Sequence, residues 1–395
     1  MHRKQLAALF SCLFLIGSAE VVAGPMMAFM GPHFGVAPAK IAYLPAAYGL
    51  AYAVVALLAG PFSDRFGRRR PLQAGLCGFA LFGALVPSAP HLTAAVALSA
   101  LTGVCAAIIQ PNALSLVGDE APADQVGRLI GRVFIGLMLA FVLTPAMAGW
   151  LADTAGWQSA YYLLSGAAVV VLWRVSAVFP QRVRSARTAA LAFGAAHRHA
   201  LSVPGAVLRL SASYLWLGWV AGFGAVVAAV CARKLALSPT DAGLLAGFYG
   251  AAVIAGNMSN ARLHRLLGDR ALPLMALVSA AGILAFLLPL DAMVPLALAG
   301  FPWAFGYGCA GPLHHARLSA LSDRYRGTIN SYHASLLNLG IFSVSFTMGQ
   351  LASAAALPVF YLVVSGVGIL GALLLCCRRP GPVSVDPLPV DGRRP

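Results

Sequence analysis

Acidic residues are scarce in this 395-residue chain, which has 12 Asp and Glu against 27 Lys and Arg. Charged residues of both signs amount to 10%, apolar residues to 60%, and the mean hydropathy is +0.81. A soluble core cannot use that much apolar surface, so the composition excludes an ordinary soluble domain and implies a polytopic membrane protein. Cysteine pairing is lacking as well. Cys12, Cys77, Cys105, Cys231, Cys309, Cys376 and Cys377 fall in apolar runs or at their ends, without metal-ligand spacing, and read as small packing residues. There is no ATP-binding glycine loop, no nucleophile–base pair and no metal-ligand cluster in the sequence. We therefore expect no enzyme, no cofactor and no metal. The net charge of +15 is not accompanied by basic runs interleaved with aromatics, so nucleic acid is not expected as a partner.

What is abundant is apolar sequence in lengths of roughly 20 residues, the length a helix needs to cross the ~30 Å hydrocarbon core. Twelve such runs can be drawn, at about 6–30, 41–60, 71–89, 92–117, 128–151, 157–179, 207–231, 241–260, 271–289, 293–315, 328–352 and 356–377. The first, preceded by His2-Arg3-Lys4, has signal-peptide features with Val21-Val22-Ala23 as a conceivable cleavage site. The run continues beyond Pro25 to Met30 without a soluble domain following, so it is read as a retained first span. With the N-terminus inside, 24 of the 27 Lys and Arg fall on the cytoplasmic side, leaving only Lys40, Arg233 and Lys234 outside. Basic residues resist translocation, so this asymmetry predicts twelve helices with both termini cytoplasmic. Residues 1–180 then form a six-helix half, 181–206 a cytoplasmic linker, 207–379 a second six-helix half and 380–395 a cytoplasmic tail.

The two halves echo each other at a spacing of about 200 residues. Asp124-Gln125-Val126-Gly127-Arg128 before the fifth span is matched by Asp323-Arg324-Tyr325-Arg326-Gly327 before the eleventh. Between spans two and three stands Gly60-Pro61-Phe62-Ser63-Asp64-Arg65-Phe66-Gly67-Arg68-Arg69-Arg70, five charges in a short connection. This stretch resembles the G-x-x-x-D-R-x-G-R-R-[KR] signature of the major facilitator superfamily, matching at Gly60, Asp64, Arg65, Gly67, Arg68, Arg69 and Arg70. The resemblance implies a fold of two pseudo-symmetric six-helix halves, rocker-switch alternating access and a substrate site between the halves. It also implies a gating role for the signature, with Asp64 against the start of the eleventh span. A topology-setting charge run is the plainer alternative.

Of the twelve acidic residues only Glu20 lies well inside an apolar run. A carboxylate near the bilayer centre costs about 2.5–3.5 kcal/mol on insertion scales, so such residues usually face a cavity and serve a function. Proton or cation exchange is the expected role, a structural hydrogen-bonded carboxyl the alternative. Ala19-Glu20-Val21-Val22 before Gly24-Pro25 is similar to the acidic first-helix motif of the twelve-helix drug:proton antiporters and sugar-efflux-like permeases, which implies a coupling or cation-binding role. The fifth span carries Gly131, Ala140, Thr144, Pro145 and Gly149, a partial match to the antiporter pattern of that helix. The match implies export; ordinary small-residue packing would need the same residues. In the fourth span the family arginine is replaced by Ser99, four residues before Gly103. That departure puts the usual proton relay in doubt and leaves Glu20 alone or together with His333.

Tyr48, Tyr52, Gln110, Asn112, Trp216, Trp219 and Asn338 are the candidate cavity residues, and Phe223, Trp303, Phe305 and Tyr307 could join an aromatic lining. His314 and His315 are expected to reach the cytoplasmic interface. The reading is a multi-pass transporter of the bacterial inner membrane, a monomer whose partners are a small molecule, protons and the lipid bilayer. Proton-coupled export of a drug or of an endogenous metabolite such as a siderophore leads. Uptake of a small solute, or a sensor that transports nothing, are the alternatives.

Overall fold

The computed structural model describes residues 1–66, 68–122, 125–179, 193–322, 325–351 and 354–376, with backbone only for 59–66, 193–196 and 354. Among these residues there are helices and turns and no strand. The helices are α1 (Arg3–Val21), α2 (Ala23–His33), α3 (Tyr43–Phe66), α4 (Arg69–Leu85), α5 (Leu92–Glu120), α6 (Val126–Thr154) and α7 (Gln158–Val178), then the short α8 (Phe193–Ser202). The remainder are α9 (Ala206–Ala212), α10 (Trp219–Leu235), α11 (Pro239–Leu267), α12 (Ala271–Gly282), α13 (Met293–Ser319), α14 (Arg326–Gln350) and α15 (Leu357–Leu374).

Among the described residues, ten stretches are long and apolar enough to cross a membrane. One of them, Pro239–Leu287, contains both α11 and α12, separated by a turn at Gly268 with φ +55°. Helix α14 has 25 residues but carries Asn330, Ser331, His333, Ser335 and Asn338, which lower its apolarity. The arrangement is consistent with the twelve crossings expected from the hydropathy pattern. Helices α1 and α2 belong to one span that turns at Val22, and Pro25 has no N–H to give to the Val21 carbonyl one turn earlier.

Packing divides by region of the chain. α1 lies against α6 and α7, α3 against α5, and α4 against α5 and α7. In the C-terminal region α13 packs on α11 and α12, α12 on α15, and α10 on α14. The two groups meet along α6–α11 and α3–α14. The α6–α11 contact is close because it runs backbone to backbone. A Cβ at Gly149 would overlap the Pro239 carbonyl oxygen, and one at Gly243 would overlap that of Pro145. Dispersion between closely approaching backbones is what holds helices together where lipid removes the hydrophobic driving force. At one end of this contact the exposed Asp153 accepts from both the backbone N (2.9 Å) and the hydroxyl of Thr240 (2.5 Å) in the first turn of α11. A carboxylate is favoured at that partly positive helix end. Helix α8 docks on the beginning of α14, where His199 stacks on Tyr325 with ring centroids 6.0 Å apart.

Candidate functional site

Helices from both regions wall a central cavity. α1 contributes Glu20, α6 Phe141 and Pro145, α10 Val220 and Gly224, α11 Tyr249 and Gly250, and α13 Trp303 and Tyr307. The lining is apolar and aromatic, and Glu20 is its one titratable carboxyl. Glu20 is half-buried and makes no hydrogen bond or ion pair with any described residue. Tyr48, Tyr52 and Tyr307 lie within electrostatic range of it. The Tyr52 hydroxyl is held by the Gln110 side-chain oxygen at 2.8 Å, and that of Tyr48 by the Ile16 carbonyl at 3.2 Å. Asn112, on the same helix as Gln110, gives its amide to the Ile108 carbonyl at 2.8 Å, and its buried Oδ1 has no partner among the described residues.

The small residues of α6 serve two contacts. Thr144 meets Ser18 of α1 at 2.7 Å, and because the Ser18 hydroxyl donates to the Phe14 carbonyl, Thr144 is the donor. Ala140 is fully buried beside Gly17, and Gly149 faces Pro239 on α11. Gly131 has open space in front of it. Pro145 reaches the cavity itself.

Other sequence candidates sit elsewhere. Trp216 is fully buried in the C-terminal region and donates to the Ser279 hydroxyl at 2.9 Å, while the buried indole N–H of Trp219 has no partner among the described residues. Phe223 lies in the core behind the cavity wall. Asn338 is at the α3–α14 contact, where its carbonyl lies close to Gly49 and its amide bonds the Ala334 carbonyl at 3.0 Å. His333 is buried away from the cavity lining, with Nδ1 2.9 Å from the Ser213 hydroxyl. His314 joins the same hydroxyl through Nε2 at 2.8 Å. The expectation that His314 reaches the interface is thus corrected: it is fully buried, and only His315 is exposed. Successive helix positions point about 100° apart, so two adjacent histidines cannot share one environment. Ser213 was not singled out from sequence, since a serine in an apolar run carries no signal of its partners. It opens a π-helical turn, Ser213–Gly218, between α9 and α10.

In the signature connection, Gly67 and the side chains of Asp64 and Arg65 lie outside the described residues. Arg68 pairs with Asp119 at the end of α5 (3.9 Å), and Arg69 donates to the Ser176 carbonyl near the end of α7 (2.8 Å). Arg70 is exposed. These contacts fasten the connection to the N-terminal helices.

Comparison with known proteins agrees with this architecture. An uncharacterized MFS-type transporter, YceJ of Bacillus subtilis, is 27% identical over 85% of this chain and 84% of its own length. The multidrug resistance protein MdtG of Dickeya zeae is 25% identical over 79% of this chain and 78% of its own. The crystal structure of a D-xylose-proton symporter superposes with a TM-score of 0.79 over 95% of this chain and 98% of that one, at 17% identity, a likeness of fold. The pattern of the Major Facilitator Superfamily matches residues 9–230, more than half of the sequence. With its helical bundle, its central cavity and this match, the chain belongs to the Major Facilitator Superfamily of multi-pass membrane transporters.

Proposed function

We propose that this transporter is a proton-coupled exporter of the bacterial inner membrane, acting as a monomer on small aromatic, cationic molecules. The observation that carries the reading is Glu20, a carboxyl without a partner among the described residues, facing an apolar and aromatic cavity between helices from both regions of the chain. Removal from water favours the neutral carboxyl, whereas a bound cation favours the carboxylate. A proton and a cationic substrate therefore compete for one site, which is the requirement for exchange. The aromatic faces of Trp303, Tyr249 and Tyr307 suit a flat or delocalised cation. An anionic iron chelator fits the wall less well, because no basic side chain lines it. Relatives named as multidrug resistance proteins support export.

In this reading residues 1–180 and 207–379 rock against each other about the α6–α11 and α3–α14 contacts. The linker 181–206, the tail 380–395 and the Gly60–Arg70 signature face the cytoplasm, where the signature gates. His333, tied to Ser213, is the second proton site. One proton entering down 100 mV releases ~2.3 kcal/mol. At ~1.36 kcal/mol per decade that sustains roughly a fifty-fold substrate gradient.

The test is proton release on adding tetraphenylphosphonium or ethidium to the purified protein, with iron chelators as comparison. Wild type should release protons and Glu20→Gln should not. Equal release by both proteins would reduce Glu20 to a structural carboxyl. Accumulation of the same probes in inside-out vesicles under a proton gradient checks direction, and accumulation only in right-side-out vesicles would make the chain an uptake permease.

A further inference from the structure

Two glycines line the central cavity, Gly224 on α10 and Gly250 on α11. Packing accounts for one of them. A Cβ at Gly250 would overlap the Phe141 carbonyl oxygen on α6, so that position has to stay bare for the two helices to meet. At Gly224 a Cβ would lie 3.6 Å from Cζ2 and 3.9 Å from Cη2 of Trp303, which is ordinary van der Waals contact. Among the described residues no other atom outside its own helix comes within 4 Å of it. An alanine fits there. A glycine inside a helix costs stability relative to alanine, because its backbone loses more freedom on folding. The bare position at Gly224 therefore serves something other than helix packing.

The ring beside it is held in place. Trp303 is buried, and its indole N–H donates to the carbonyl of Val220, one turn before Gly224 on the same stretch of chain (3.3 Å). Phe223 and Tyr249 stand edge to face with it at centroid distances of 5.0 and 5.3 Å. A close-packed ring fastened from these sides does not turn away, so whatever enters beside Gly224 has to fit the space that is there.

Glu20 lines the cavity at the same level. α2 closes on α10 where a Cβ at Gly24 would lie 3.3 Å from the Ala225 carbonyl oxygen and 3.4 Å from the Ala228 methyl. One turn back along each helix stand Glu20 on α1 and Ala221 and Gly224 on α10, and all three are in the cavity wall. We propose that Gly224 is the specificity-determining position of this site: the room left by its absent side chain is a slot that admits a flat ring of the substrate against Trp303, with the substrate's cationic group at Glu20. The slot recognises the ring, as Glu20 recognises the charge. The proposal rests on the reading of the cavity and Glu20 as the place where the cation binds.

Equilibrium dialysis of two cations against the purified full-length transporter tests the slot. One methyl group in a binding pocket is worth roughly tenfold in discrimination, so Gly224→Ala should weaken the binding of ethidium about tenfold. Tetrabutylammonium, a lipophilic cation without a ring, should lose less than about twofold, because it does not use the slot. The thermal midpoint of Gly224→Ala should stay at or above that of wild type, which a glycine needed for packing would not allow. Gly250→Ala, made for comparison, should lower the midpoint. An unchanged Kd for ethidium in Gly224→Ala overturns the slot. Equal losses for the two cations, or a lowered midpoint, overturn it as well, because the position would then only set the cavity's volume or its packing. Ethidium bound equally well by Glu20→Gln, with no proton released by wild type, sinks the reading of Glu20 whatever Gly224→Ala does. Binding that depends on Glu20 but is untouched by Gly224→Ala leaves that reading intact and refutes the slot alone.

Discussion

The two sides of the central cavity are backed by different material. Behind Glu20, on the α1 side, five hydroxyl-bearing side chains, Tyr48, Ser99, Thr102, Tyr161 and Ser165, stand around a pocket. Behind Trp303, on the other side, Phe223 packs against Phe286 and Trp303 at ring-centroid distances of 5.0 Å, and against Phe360 and Tyr361 at 6.2 and 6.3 Å. The outer bracing is alike in both regions. Arg68 pairs with Asp119 at the end of α5, and Asp269 pairs with Arg317 near the end of α13, with the charges exchanged. Similar frames thus enclose a pocket with hydroxyls in its wall on one side and a packed aromatic cluster on the other. Edge-to-face aromatic packing is dense and directional, so it suits a wall that keeps its shape.

This contrast can be tested by substitutions of decreasing expected effect. Phe223→Ala should cost about 3–5 kcal/mol, because a fully buried ring at the centre of the cluster leaves a cavity that its neighbours cannot fill. Chemical denaturation in detergent measures it, and a loss near that of a surface substitution would mean that the aromatic wall is not the rigid one. Gly243→Val should cost about 1–3 kcal/mol by overpacking, since its side chain meets the Pro145 backbone and forces α6 from α11. Thermal unfolding followed by size-exclusion chromatography reads this out, and an unchanged midpoint would show that the two helices separate readily.

Asp153→Ala should cost about 0.3–1 kcal/mol through the lost contact with the first turn of α11, while Asp153→Asn keeps an acceptor and should lose less. The deficit of the alanine variant should shrink at high salt. A last effect, of the same order, separates the interiors most directly. Ser165→Ala should lower stability by about 0.5–1 kcal/mol if its hydroxyl is bonded to water, and a gain in stability would identify a dry pocket.

Much of the frame was legible in the sequence, and the reasons are specific. The helical runs stand out because only about 20 apolar residues span the hydrocarbon and the backbone has to satisfy itself there. Glu20 stands out because it is the lone carboxyl well inside such a run, and the structure places it on the cavity wall. Other residues were ambiguous. Trp303 and Tyr307 reach the central cavity, whereas Trp216 and Phe223, aromatic residues in equally apolar surroundings, are core. Nothing in the local sequence distinguishes them, because helix rotation about its axis is set by neighbours distant in the chain.

By itself, then, the sequence determined the membrane-spanning helical class, the family signature at Gly60–Arg70 and the single acid among apolar neighbours. Burial of a charge in lipid and translocation of arginine are costs any chain bears, so they leave marks that can be read without coordinates. Tertiary structure alone decided that Ser213 bridges His314 and His333 and that, among the described residues, Ser165 is left without a partner and Glu20 has tyrosines near it but no counter-ion. Hydrogen-bond satisfaction belongs to sets of side chains from several helices, and serine, histidine and tyrosine acquire a role only when packing brings the set together.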